Sequence, residues 1–170
     1  MRKILFAVMV FFAALHFTGC GNSESKQYIE GLIADMEYAC NNYDVQEILD
    51  NIDPDIADPI KFAYGFGTVV TESDKDDMAE DIINTVFGGL YSLGVSENIT
   101  PKTFFANLKI EPVKYEMKKK VGRVSCRMRF ESVNQRFKRF VEVEVIKFDG
   151  EWYIESIRLL STKEASDLVD

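Results

Sequence analysis

Apolar residues recur at every third or fourth position in the first two-thirds of this chain, and at every second position from Leu108 onward. That change of period constrains the fold more than any other feature, because a spacing of 3.6 lines one face of a helix and a spacing of 2 lines one face of a strand. Val124, Cys126, Met128 and Phe130 alternate with Ser125, Arg127, Arg129 and Glu131, and Val141, Val143 and Val145 alternate with Glu142 and Glu144. Asp149-Gly150, ahead of Trp152-Tyr153-Ile154, is the strongest hairpin signal. Pro112 cannot donate to a central ladder, which puts Leu108–Tyr115 at a sheet edge or a bulge.

The earlier part reads as helices. Ser25 is a candidate cap for a helix bearing Ile29, Leu32, Ile33, Met36, Cys40 and Tyr43. Asp44 with Glu47 opens a short second helix, which Asp53-Pro54 is expected to stop. Asp58-Pro59 predicts a further helical turn through Phe62, Ala63 and Phe66. Ser73 with Asp76 predicts a helix bearing Ala79, Ile82, Ile83, Val86, Phe87 and Leu90 and ending at Gly94. Gly88-Gly89 within it implies a close approach, and Thr100-Pro101 predicts one last turn. Helices followed by about four antiparallel strands make an α+β plan, with the helices packed on one face of a curved sheet.

The first residues carry an address. Arg2 and Lys3 precede an apolar run from Ile4 to Phe17, broken only by His16. The run is shorter than the roughly 20 residues a spanning helix needs, as in a secretory signal. Phe17-Thr18-Gly19-Cys20 resembles the bacterial lipobox, apart from Phe17 where leucine is usual. The resemblance implies cleavage before Cys20, acylation of Cys20, and a domain held outside the cytoplasm on the cell membrane or an outer membrane. The expected organisation is a signal over 1–19, a lipidated tether over 20–27, a domain over 28–162 and a tail over 163–170. Removing 1–19 takes the formal charge from −8 to −10 and removes His16, the one histidine, which excludes histidine-based triads and histidine-ligated metal from the mature chain.

The order of elements resembles the nuclear transport factor 2-like (cystatin-like, SnoaL-type) superfamily. Asp44–Leu49 leading into Asp53-Pro54-Asp55 is similar to its connection between the first two helices, and Val145–Ile154 is similar to its final hairpin. The resemblance implies a cone with a cavity at its wide end, in which Phe62, Tyr64, Phe66, Tyr91, Phe104 and Phe105 are candidate lining residues. Enzymes on that fold often use a carboxylate base with a tyrosine donor, but no spacing here singles out such a pair.

Charge is segregated along the chain. Residues 20–100 hold 3 basic and 17 acidic side chains, and residues 102–139 hold 12 basic and 3 acidic. Lys118, Lys119, Lys120, Arg127 and Arg129 are a candidate docking face for an anionic partner, the alternative being a solvated face balanced by the acidic helices. The net charge argues against nucleic acid. The aspartates at 53, 55 and 58 and at 74, 76 and 77 lack the glycine and later glutamate of a calcium loop, so no metal or cofactor is expected. Cys40 on the first helix and Cys126 on a strand are candidates for a disulfide in an oxidising compartment. The expected function is a non-catalytic module binding a small apolar ligand or an envelope protein. Two alternatives stand beside it: an isomerase or dehydratase with an Asp base and a Tyr donor in the cone, and a structural domain docking an envelope component through its basic strands. Oligomeric state is not legible.

Overall fold

Capping chemistry sets most of the helix boundaries. A computed structural model describes residues 20–65, 71–88, 90, 100–106, 108–132 and 135–168, the side chains of 20–22 and 130–138 excepted. The expected signal over 1–19, Phe66, Tyr91 and the stop at Gly94 lie outside them. Helix α1 spans Cys20–Asn42, so Ser25 lies inside it and the tract expected to be a tether is helical. The reason is local: Glu24, Lys26 and Gln27 are good helix formers, and adding a turn to an existing helix is far easier than nucleating one. The helix ends in a Schellman motif. Tyr43 takes a left-handed φ of 55°, its N–H donates to the Cys40 carbonyl (3.1 Å), and the Asp44 N–H donates to that of Ala39 (3.0 Å).

Helix α2 (Val45–Asp50) is capped by Asp44, whose carboxylate accepts from the Glu47 N–H. Asp53-Pro54 does more than stop it: Asp53 caps α3 (Pro54–Ala63) with Pro54 in its first turn. Pro59, expected at a helix start, therefore lies within α3. Helix α4 spans Glu72–Val86 and is opened by a Thr71–Asp74 capping box, two residues before the expected Ser73. It closes ahead of Gly88, whose φ of +31° ends the helix where continuation to Gly94 was expected. Helix α5 (Pro101–Phe105) is capped by Thr100 as expected. A Ser161–Glu164 capping box opens a last helix, α6 (Thr162–Ser166), most of which falls in the segment 163–170 expected as a tail.

Strands β1 (Lys109–Met117), β2 (Val121–Ser132), β3 (Gln135–Phe148) and β4 (Glu151–Leu159) form one antiparallel sheet in the order β1-β2-β3-β4. Both expectations for Pro112 hold, since β1 is an edge strand and its register shifts between Pro112 and Lys114. Asp149 (φ 49°) and Gly150 (φ 96°) form the β3–β4 turn, with positive φ at both central positions as a type I′ turn requires. A second register shift, opposite Glu144 and Val145, changes the spacing in β4, whose buried residues are Trp152, Ile154 and then Ile157. The outer edge of β4 is covered by the α2–α3 connection: the Asp53 N–H donates to the Ile154 carbonyl (3.0 Å) and the Ile154 N–H to that of Asn51 (2.9 Å). Such a cover hides an edge that would otherwise pair with another chain.

One face of the sheet buries Val124, Cys126, Met128, Val141, Val143, Val145 and Ile154 against α1, α4 and α5. Leu32, Ile33, Met36, Ile83, Val86 and Phe87, on the apolar helix faces expected from periodicity, are buried there too, as is Trp152. The architecture is α+β, with helices on one face of a four-stranded antiparallel meander.

Candidate functional site

The four described aromatic residues expected to line a cavity, Phe62, Tyr64, Phe104 and Phe105, are spread between surface and core. Phe104 and Phe105 are fully buried and pack edge-on with Phe87, at ring-centroid separations of 5.4 Å between themselves and 5.7 and 5.5 Å to Phe87. They fill the space under the sheet instead of bordering it. Phe62 lies on the outer side of α3, 77% exposed. Tyr64 is half-buried at the end of α3 and its hydroxyl donates to Asp81 (3.0 Å) on α4.

Among the described residues two tyrosine–aspartate pairs occur, Tyr64–Asp81 and Tyr43–Asp76, and both hydrogen bonds are solvent-exposed. Desolvation, then the bond to Asp81, pushes the Tyr64 phenol up to about 12. Each pair ties two helices together. Asp53, the buried aspartate among the described residues, serves as a helix cap and accepts from the Asp55 N–H (3.2 Å).

The structure divides the expected basic face in two. Arg127 and Arg129 lie mid-sheet on the surface opposite the core, where neighbouring strands supply their partners. Arg129 pairs with Glu111 (3.3 Å), and the Arg127 guanidinium lies 5.6 Å over the Phe140 ring. The same surface carries Arg123–Glu144 (3.3 Å), Arg158–Glu142 (2.7 Å) and Arg158–Glu164 (3.0 Å). Among the described residues, Arg123, Arg129 and Arg158 thus pair with the sheet's own glutamates, Arg158 also with Glu164 of α6, and Lys109 pairs with Glu37 of α1. Lys118, Lys119 and Lys120 stand apart in the β1–β2 turn, about 23 Å of strand from Arg127 at ~3.3 Å per residue.

Cys40 and Cys126 are both buried free thiols. The Cys40 Sγ is 3.8 Å from the Met36 sulfur, and the Cys126 thiol donates to the Val124 carbonyl (3.5 Å). Burial raises the Cys40 thiol far above its ordinary range and pushes Cys126 up to about 12. Neither has the thiolate character of a nucleophile.

Open space lies on both flanks of α1. A groove of about 750 Å³ separates it from the β1 edge, crossed by a hydrogen bond from the Tyr115 hydroxyl to Glu30 (3.0 Å). On the other flank, a cleft of about 540 Å³ lies between Tyr28, Leu32 and Asp35 of α1 and the β3–β4 hairpin. Trp152 lines this cleft, only 8% exposed, with the Lys147 ammonium 5.7 Å from its ring centroid. Its indole Nε1–H is fully buried and has no hydrogen-bond partner, the one such side-chain group among the described residues. The sequence displays Trp152 only as part of the final hairpin and does not show the cleft. The available clue was that a lone buried tryptophan needs an acceptor for its N–H, and no neighbour in sequence supplies one.

No family model and no curated protein matches the chain. Among solved structures it is similar to an NTF-2 like protein of unknown function from Shewanella oneidensis, with 14% identity over 78% of this chain and 96% of that one and a TM-score of 0.48. A protein of unknown function from Mycobacterium tuberculosis is 15% identical over 91% of this chain and 82% of its own, with a TM-score of 0.48. A SEC-C motif containing protein from Rhodopseudomonas palustris is 14% identical over 73% and 72%, with a TM-score of 0.43.

Proposed function

We propose that this chain is an extracytoplasmic, lipid-anchored, non-catalytic binding module on a nuclear transport factor 2-like cone, and that it takes its ligand in the Trp152 cleft. The observation that carries the binding site is the orphaned indole N–H. A buried donor without an acceptor costs about 1–3 kcal/mol, and folded proteins keep few of them. Nε1 is covered in the free protein, so a ligand oxygen removes that cost only as the cleft wall shifts to admit it. Asp35, Asp50, Asn51 and Glu151 at the cleft suit a polar ligand that offers an acceptor inward and donors or positive charge outward. This replaces the small apolar ligand expected of an open cone. The exposed tyrosine–aspartate pairs give no support to an acid–base enzyme.

Anchoring is supported by the Thr18-Gly19-Cys20 run after a short apolar segment. One acyl chain binds a membrane only marginally, whereas two or more hold a protein stably. Mass spectrometry of the native N-terminal peptide tests this part: an acylated Cys20 at the new terminus is expected, and an intact Met1 or an unmodified Cys20 overturns it.

The chain's single tryptophan makes the cleft directly observable. Its one indole cross-peak in a ¹H–¹⁵N spectrum is expected to shift as polyols, amino sugars or short cationic peptides bind, with slower hydrogen exchange at saturation. A compound that binds without moving that peak, and equally well to Trp152→Phe, overturns the assignment of the cleft.

A further inference from the structure

Three parts of the chain meet at one pole of the molecule. The Asn41 amide donates to the Leu108 carbonyl (2.8 Å), the Ile110 N–H donates to Glu37 (3.0 Å), and the Tyr115 hydroxyl donates to Glu30 (3.0 Å). Helix α1 is thereby traced backward along β1, and its first turns fall beside the β1–β2 turn at 118–120. Glu24 and Tyr28 also border the cleft that Gly150 borders, which brings the β3–β4 turn to the same pole. The Lys147 N–H donates to the Lys120 carbonyl (2.7 Å) and ties the two turns together.

This pole combines unpaired basic charge with exposed apolar side chains. Lys118, Lys119 and Lys120 are exposed and form no ion pair among the described residues. Val121 (44% exposed) and Phe148 (48% exposed) are large apolar residues at the strand ends beside them. Val121 pairs with Ile146, and Phe148 lies two residues further on the same face. Of the nearby carboxylates, Glu116 pairs with Lys114 (2.8 Å) and Glu151 accepts from the Tyr153 hydroxyl (3.0 Å). Glu116, which Lys118 also helps hold ionised, and Glu155, which borders the same pocket as Lys118, oppose the lysines and limit the attraction.

We propose that this pole docks on a bilayer, with Lys118–Lys120 against anionic headgroups and Phe148 and Val121 in the interfacial layer. The inference rests on the anchoring reading above. The apolar run Ile4–Phe17 ends three residues before α1 begins. From Cys20 the chain is helical and reaches the buried Ile29 nine residues later, about 14 Å at ~1.5 Å per residue. A flexible tether would leave the domain free to turn, but a helix of that length holds this pole within reach of the headgroups. An anionic surface is the occupant a triple-lysine turn fits, although the chain as a whole carries a net charge of −8.

The test uses the full chain reconstituted into vesicles of phosphatidylcholine alone or with phosphatidylglycerol added. Flotation reads anchoring, and tryptic cleavage after Lys118–Lys120, followed by mass spectrometry, reads docking. Cleavage after Lys163 is the internal control, since it follows the far end of β4: Leu159 pairs with Val141, six residues along β3 from the Lys147 that meets Lys120, about 20 Å at ~3.3 Å per residue. Each lysine near an anionic leaflet contributes about fivefold to association, so roughly a hundredfold is the ceiling for three. The expected result is flotation in both lipids, with cleavage at the turn slowed about tenfold or more by phosphatidylglycerol. Lys163 cleavage stays unchanged and added salt reverses the protection. Phe148→Ser is expected to restore cleavage several-fold, and an unchanged rate overturns the apolar half of the contact. Flotation without protection in either lipid overturns docking and leaves the anchor standing. No flotation in either lipid overturns both, and protected flotation only with phosphatidylglycerol supports docking while overturning the anchor.

Discussion

Replacing Phe105 with alanine measures whether the space under the sheet is solid. Phe105 is 0% exposed, with ring centroids at 5.5 Å from Phe87, 5.4 Å from Phe104 and 6.4 Å from Tyr43. A buried phenylalanine removes about 150 Å² or more from water, which at ~25 cal/mol per Å² is about 4 kcal/mol. Phe→Ala series give about 3–5 kcal/mol, including the cavity left behind. Edge-to-face pairs add about 0.5–1.5 kcal/mol each beyond area, which places Phe105→Ala at the upper end of that range. With a urea slope of about 2 kcal/mol per molar, the unfolding midpoint falls by about 2 M. Phe62→Ala is the matched control: a ring 77% exposed on α3 is expected to change stability by no more than about 0.5 kcal/mol. If Phe105→Ala leaves too little folded protein, Phe105→Leu reports the same packing with a loss of about 1–2 kcal/mol. A loss below about 1.5 kcal/mol for Phe105→Ala would mean the ring borders open space and refute the filled interior.

Two further results are expected. Cys40 and Cys126 resist a thiol reagent in the folded protein and, without any reductant, both become labelled once urea unfolds it; peptide mapping that finds either one blocked contradicts the free thiols. The Arg158 ion pair and the Ser161 cap hold the Glu164 carboxyl down to about 2 from an ordinary 4.5. Its folded pKa is the lower one, so its contribution is present above pH 4.5 and is lost as pH falls toward 2. Glu164→Gln is expected to flatten the acid limb of a stability–pH curve in that window, and a curve parallel to the parent refutes the assignment.

Particular residues show which parts of the fold were legible. Asp44, Thr100 and Pro101 were read as helix starts because a cap and the N–H it satisfies lie within three residues of each other. Asp53-Pro54 was half-read: the same dipeptide that blocks α2 also opens α3, and sequence alone weighted the break over the cap. Gly88 was read as a packing glycine within a helix, whereas its positive φ makes it the residue after the helix end. The Ser161–Glu164 box carries its signature in full, but it lies beyond the last strand, where no apolar period accompanies it.

The sequence by itself determined the class of fold. Period, caps and the Asp149-Gly150 turn act between neighbours, and neighbours are what a sequence displays. It also marked the apolar run before Cys20 and the separation of acidic from basic segments. Only the tertiary structure decided what each charge and each ring meets. Arg129 finds Glu111 because β1 lies beside β2 in one register, 18 residues apart in sequence. Phe104 and Phe105 became filling instead of lining because Phe87 arrives from another helix. The Trp152 indole N–H meets no acceptor among the described residues, and no local rule records what long-range packing sets beside it. The lysine turn, Phe148 and the start of α1 share one pole for the same reason: their positions are set by long-range packing, whose free energy depends on which faces meet and not on residues adjacent in the chain.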